Sequence, residues 1–230
     1  MKISIITVCY NALEDLKKTR SSILMQTEVA VEHIIIDGAS TDGTREWLAT
    51  LPQDTIWRSE KDNGIYDAMN KGISLATSPF LLFLNAGDYF VGDLLKGISS
   101  PPGLIPVKAI KPFVGETFLK PANYKLGLPY CHQGIIFENK GVTYNTSYRF
   151  AADYDYYLRC QYTQLPFISS PSNGYVYYDN FGTSQIHAKK RDAEIAQVIK
   201  KEFGKKQALI FCLISRIKLA VKKTLLPILS

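Results

Sequence analysis

The sequence predicts an α/β protein with a mostly parallel central sheet, flanking helices and a C-terminal helical extension. Three features carry that reading. Strand-like and helix-like segments alternate across roughly the first 90 of the 230 residues, the pattern of parallel strands joined by crossover helices. The strand candidates are continuous apolar runs, as expected of strands covered on both faces. The charge is lopsided: the chain carries +6 overall, but the segment from Lys189 onward carries +8, which leaves −2 on everything before it.

Residues 3–8 are the first strand, ending in Cys9-Tyr10-Asn11. The helix that follows has Leu13, Leu16, Ile23 and Leu24 at near-helical spacing, with Asn11 able to cap it. Residues 31–37 are the second strand, centred on Ile34-Ile35-Ile36 and stopping at Asp37-Gly38; a short helix over 42–48 follows, with hydroxyl and acidic residues at its start. Residues 55–59 form a third strand, 64–76 a helix, and Phe80 to Leu84 a fourth strand that breaks into Asn85-Ala86-Gly87-Asp88. The polar clusters Cys9–Asn11, Asp37–Gly38, Glu60–Asn63 and Asn85–Asp88 thus end four parallel strands and must share one edge of the sheet. Ligands of open α/β sheets collect at that edge.

Past residue 90, prolines at 101, 102, 106, 112, 121 and 129 interrupt a loop-rich stretch. Cys131 to Phe137 reads as a strand, Phe150 to Arg159 as a helix with Asp153 at or near its cap, and 164–168 and 174–178 as short strands. From Ser184 two helices remain. In the second, Leu209, Leu213, Ile217 and Ala220 share a face with Ile210, Ile214 and Val221, opposite Arg216, Lys218, Lys222 and Lys223. A basic amphipathic helix of this kind suits an anionic membrane surface; a docking face for the body or for a second copy of the chain is the alternative.

Composition narrows the function. The basicity belongs to the tail and not to the body, which argues against a nucleic-acid-binding core. The opening run is too short and too β-branched for a signal peptide, and no apolar run reaches the roughly 18 residues of a membrane span. Cys9, Cys131, Cys160 and Cys212 are scattered, so they read as reduced thiols of a cytoplasmic protein. There is no GxGxxG after a strand. Gly38 to Gly43 has the outer spacing of a phosphate loop, but Thr44 stands where that loop needs lysine. His33, His132 and His187 are too far apart for a zinc motif, and no GxSxG elbow is present. What is left is a carboxylate, Asp88, delivered by a buried strand to the ligand edge. It is a candidate ligand for a divalent cation on a nucleotide diphosphate, with a solvated turn residue as the bland alternative.

Several stretches together resemble family 2 glycosyltransferases of the GT-A fold: Ser4 to Asn11, Ile36 to Thr44, Asp62 to Gly72 and Leu84 to Asp88, in order and spacing over about residues 3–90. Ala151 to Arg159 is similar to the family's later acidic motif, and Asn180 to Ser184 is a weaker match to the small-residue motif that often follows it. The His132-Gln133 pair is similar to one common in bacterial polysaccharide-assembly members.

The resemblance implies a catalytic domain over 1–184, with a nucleotide-sugar half (1–90) and an acceptor half (91–184), followed by a basic amphipathic tail over 185–230. It implies an inverting transfer from a nucleotide-diphosphate sugar, by resemblance a UDP-sugar, to a saccharide or lipid-linked saccharide. Asp153 matches the catalytic base and Asp88 the last acid of the family's Asp-x-Asp motif, holding Mg²⁺ or Mn²⁺; Asn85 and Gly87 stand where acids are usual. Asp37 can accept from a base N–H or cap the next helix, Tyr10 can wall the base, and Thr7 and Asn11 can touch ribose or base. Asp62 and Asn70 lie along the nucleotide-sugar, whereas Asp67 serves equally as a helix-terminus charge. His132 and Gln133 are assigned to the acceptor, a structural histidine being the alternative, and Asp155 is expected to pair with Arg159. The implied location is the inner face of the cell membrane, reached through residues 207–230, with a homodimer among the allowed assemblies. A non-catalytic sugar-nucleotide-binding protein and a sugar nucleotidyltransferase are the alternative functions.

Overall fold

Every residue from Ile3 to Cys9 is buried, so the opening strand can only lie in the middle of a covered sheet. The computed structural model describes residues 1–98, 101–111, 115–168, 173–178 and 187–225, with backbone alone for 110, 111 and 218–225. The Asn180–Ser184 motif lies outside the described residues. In chain order the first elements are β1 (Lys2–Cys9), α1 (Leu13–Leu24), β2 (Ala30–Asp37), α2 (Thr44–Leu48), β3 (Ile56–Ser59), α3 (Ile65–Leu75), β4 (Phe80–Phe83) and β5 (Tyr89–Val91). They are followed by β6 (Gly103–Leu104), β7 (Val107–Lys111), β8 (Gly115–Phe118), β9 (Ile135–Glu138), α4 (Ala152–Arg159), β10 (Tyr175–Tyr178), α5 (Ala188–Phe203) and α6 (Lys205–Leu225).

Among the described residues, six strands form the main sheet in the order β3-β2-β1-β4-β9-β6. The first four are mutually parallel, as the alternation predicts; β9 runs antiparallel to β4, and β6 antiparallel to β9. A second sheet among the described residues has the order β5-β10-β7-β8. Residues 164–168 do not form the expected strand. Pro166 has no N–H to give a ladder, and only an isolated bridge joins Phe167 to Leu104.

Ile3, Ile5 and Ile6 of β1, Ile34 and Ile36 of β2, and Leu81 to Phe83 of β4 build the main core. Burying each such side chain is worth about 1.5–3 kcal/mol. Helix α1 departs from the apolar pattern read for it. Leu24 is 66% exposed, while Thr19 and Ser22 are buried beside Leu16 and Ile23. Those polar groups hold the chain after β4: Ser22 Oγ accepts from Phe90 N, and the Gln26 amide bonds Gly92 O and Leu95 N.

The C-terminal helices are not a free tail. Val198 and Ile199 of α5 and Ala208 and Phe211 of α6 are buried against Tyr154 of α4. Asp155, also buried, pairs with Arg159 at 2.6 Å and with Lys201 of α5 at 3.7 Å. On its other side α6 leaves Leu209, Leu213 and Ile217 exposed by 71%, 61% and 54%. No helix among the described residues is long and apolar enough to cross a membrane.

Candidate functional site

The register places the strand ends in one row. Cys9 of β1 lies opposite Asp37 of β2, which lies opposite Ser59 of β3. The chain leaving β4 continues beside β1, with Leu84 N bonding Ile6 O and Ala86 N bonding Val8 O, so the Asn85–Asp88 turn arrives at the same edge. Tyr10, Gly38 and Asp62 meet there. A side chain at Gly38 would stand 2.6 Å from Asp62 Oδ2 and 3.3 Å from the Tyr10 ring, so the position tolerates only glycine without a shift. Tyr10 is 66% exposed, a ring surface available to a flat ligand. Asn11, at φ +48°, turns the chain out of β1 and accepts from Thr41 N at 2.8 Å.

Asp37 is fully buried and already engaged. It accepts from Ser40 N at 3.1 Å, from Ser59 Oγ at 2.6 Å and from Ser40 Oγ. A ligand N–H reaches it only by displacing a hydroxyl. The capping role is taken by Asp42, which accepts from Thr44 N and Leu13 N. Asp62 accepts from Gly64 N at 2.9 Å, and Asp67 reaches back to Asn63 N, the helix-terminus role.

Asn85 to Asp88 is a tight turn closed by Asp88 N donating to Asn85 O at 3.0 Å, with Gly87 at φ +99° in its third position. That backbone conformation favours glycine and explains why no acid stands there. Thr19 of α1 grips the turn: its hydroxyl donates to Asp88 O at 2.7 Å and accepts from Gly87 N at 3.0 Å. Asp88 is 4% exposed. Asn85 Oδ1 is buried with no hydrogen-bond partner, an acceptor aimed at something the protein does not supply. No cluster of three or more His, Cys, Asp or Glu side chains among the described residues could hold a metal alone. Asp88 and Asn85 nevertheless offer the hard oxygen donors that Mg²⁺ or Mn²⁺ takes when phosphates complete its shell.

Asp153 lies in the first turn of α4, its Oδ1 accepting from Tyr154 N at 2.8 Å. Burial pushes its carboxyl up to about 6, with the Glu194 charge adding to the rise and Arg191 opposing it. Cys131 feels the charge of both acids. Its thiol is raised by burial first and then by the negative charges of both Asp88 and Asp153. Cys131, Thr19 and Glu194 were not legible as site residues; each acts through partners distant in sequence.

Four side chains expected to contact donor or acceptor are paired inside the protein instead. Thr7 is buried inside β1, where its hydroxyl meets His33 Nε2 at 3.0 Å. Arg20 donates toward His33 Nδ1 at 3.2 Å, so Nε2 carries the proton and Thr7 accepts it. Asn70 spends its amide on the Tyr144 backbone, at 2.9 Å to the carbonyl and 2.6 Å from the N–H. His132 is a core histidine: it stacks on Phe83, bonds the Tyr144 hydroxyl at 2.6 Å and is held neutral by burial, near 3. Gln133 is buried and accepts from the Cys131 thiol at 3.0 Å.

A mostly parallel sheet with Tyr10, Asp62 and Asp88 at its strand ends and an acid in the first turn of a later helix has the architecture of GT-A glycosyltransferases. Solved structures agree on the fold. S. aureus TarS 1–349, solved with UDP, superposes with TM-score 0.62 at 16% identity over 88% of this chain and 65% of that one. The mannosyltransferase PcManGT from Pyrobaculum calidifontis, solved with GDP-Man and Mn²⁺, gives 0.59 at 19% identity over 86% and 63%. A PGL/p-HBAD biosynthesis glycosyltransferase of Mycobacterium bovis is 31% identical over 184 residues, 68% of each chain. The chain thus spans about two thirds of these proteins' lengths. The model of glycosyl transferase family 2 matches residues 4–156, and the chain belongs to that family.

Proposed function

We propose that the protein is an inverting glycosyltransferase that moves a sugar from a nucleotide-diphosphate donor, a UDP-sugar, to a saccharide or lipid-linked saccharide in bacterial polysaccharide assembly. The observation that carries this is the strand-end turn, where Asp88 stands beside an Asn85 amide oxygen that no protein group pairs, together with the Asp153 carboxyl on α4, raised to about 6 by desolvation. The base and ribose lie over Tyr10 and Asp62, with Asp37 behind its hydroxyls and Asn11 turning the chain beside them. Asp88 and Asn85 would hold Mg²⁺ or Mn²⁺, with the donor's phosphates completing its shell. When bound, the cation offsets the charge that builds on the leaving group.

Asp153 takes the proton of the acceptor hydroxyl as that oxygen bonds to the anomeric carbon. The bond from that carbon to the diphosphate breaks, the nucleoside diphosphate leaves, and the anomeric configuration inverts. A carboxyl near 6 is ionised at neutral pH and is a stronger base than an ordinary aspartate, which suits the role. The nucleotide-sugar ligands of TarS and PcManGT and the Mn²⁺ of PcManGT support donor class and metal by analogy. The exposed Leu209, Leu213 and Ile217, with Lys205, Lys206 and Arg216 on the same helix, support seating on an anionic membrane at the inner face of the cell, where a lipid-linked acceptor sits.

A thermal-shift panel of nucleotides and nucleotide-sugars with and without Mn²⁺ tests the reading. Stabilisation by UDP or UDP-sugars that requires the metal is expected. Equal indifference to every nucleotide diphosphate overturns the donor assignment.

A further inference from the structure

Helix α4 carries the proposed base but has no cap of its own. Ala151 stands at its N-cap and offers no side-chain acceptor. The open amides are taken from elsewhere: Glu194 of α5, 43 residues beyond Ala151, accepts from Ala151 N at 3.0 Å and Phe150 N at 2.7 Å through Oε2, and from Arg149 N at 3.0 Å through Oε1. The Tyr66 hydroxyl of α3 lies against the next two amides, those of Ala152 and Asp153. A carboxylate at this point makes charge-assisted hydrogen bonds and meets the positive end of the helix.

Asp153 is two residues past the last amide that Glu194 holds. The first turn of α4 therefore takes its position from a side chain on the C-terminal helix, which is itself anchored by Val198 and Ile199. The groups that act electrostatically on or with Asp153 are Tyr66, Cys131, Tyr144, Arg191 and Glu194. Of these, Glu194 alone also holds three backbone amides at the entrance to the helix. On its open side Glu194 lines a cavity of about 440 Å³ with Arg149, Phe150, His187 and Lys190, so a changed side chain there has room.

We propose that Glu194 is a positioning residue for Asp153, and that helix α5 is by this contact part of the catalytic unit. The inference rests on reading Asp153 as the base. The test compares full-length wild type, Glu194→Gln and Glu194→Asp by amide hydrogen exchange and by carbon-13 NMR titration of the Asp153 carboxyl, assigned against Asp153→Asn.

In Glu194→Gln, amides 149–155 are expected to exchange about tenfold faster while the β1–β4 sheet keeps its protection. The Asp153 titration moves down by about half a pH unit or more, because a like charge has gone. Glu194→Asp keeps the charge but not the reach, so exchange rises and the titration stays near wild type. A purely structural contact changes exchange without moving the titration. Wild-type exchange and titration in Glu194→Gln overturn the proposal; if that variant does not fold, wild-type exchange over 149–155 in Glu194→Asp does so. Retained turnover in Asp153→Asn removes the base reading by itself and leaves the Glu194 result standing, so the two failures are distinguishable.

Discussion

Replacing Asp153 by Asn should disable the enzyme and stabilise the fold at the same time. The amide keeps a carbonyl oxygen for Tyr154 N, so the local hydrogen bond survives. What goes is a negative charge in a desolvated, half-buried position. Holding a carboxyl at about 6 instead of 3.8 costs the native state about 3 kcal/mol at neutral pH, at 1.36 kcal/mol per tenfold change. The side chain is partly exposed, and solvent screening brings the expected gain to about 1–2 kcal/mol. The sign follows from proton binding: between pH 3.8 and 6 the native state holds more protons than the unfolded one, so ionisation destabilises it as pH rises. The variant's advantage is therefore complete above pH 6 and gone below pH 4. Scanning calorimetry at pH 7.5 should show Tm higher by about 2–8 °C, on the basis of about 2–4 °C per kcal/mol for a chain of this size, with the difference closing toward pH 4. Transfer should fall by about 10²–10⁴-fold with nucleotide binding nearly intact. A lower Tm at pH 7.5 would refute the burial argument, and undiminished turnover the base assignment.

The other expectations concern metal, acid stability and the tail. Chelation with EDTA, or Asp88→Asn, should weaken UDP binding at least tenfold by calorimetric titration; indifference to both removes the metal from Asp88. His33 and His132 are held near 3 by burial, so the unfolded chain binds more protons between pH 6.5 and 3 and the native state loses stability as pH falls. Urea unfolding should show a loss of about 2 kcal/mol per histidine between pH 7 and 5, partly offset by Asp153; a flat profile contradicts their burial as neutral rings. The triple change Leu209→Gln, Leu213→Gln and Ile217→Gln should leave the Tm within about 2 °C and abolish sedimentation with phosphatidylserine vesicles. Deleting 207–230 should instead destabilise the body as well, because Ala208 and Phe211 are buried beside Tyr154. Unchanged vesicle binding by the triple variant places the membrane contact elsewhere.

Much of the first 90 residues was legible in the sequence because its signals are local. Continuous apolar runs mark strands covered on both faces, and each run stops in a polar cluster. Parallel pairing then obliges those clusters to share an edge, which the Cys9, Asp37 and Ser59 register displays. The Asn85–Asp88 turn reads directly from its residues, since a glycine at positive φ in the third position is a property of the backbone alone. The family motifs are local in the same sense.

What the sequence did not contain is which polar side chains face inward and whom they meet there. Thr7 lies inside a strand buried on both sides, so its hydroxyl had to find a partner on the neighbouring strand and was never free for a ligand. His132 and Asn70 fell to Tyr144 for a related reason: a polar group taken from water must be paired, and the partner came from a segment that packs against it only in the fold. Glu194 is the plainest case. In sequence it is one acid in a basic, amphipathic segment; in space its carboxylate opens the helix that carries Asp153. By itself the sequence determined the parallel strands β1 to β4 and the edge their ends share, because each is set by neighbours along the chain. Tertiary structure decided which of those groups remain open to a ligand and that the C-terminal helices belong to the body, because burial and hydrogen-bond pairing are settled only when distant segments pack.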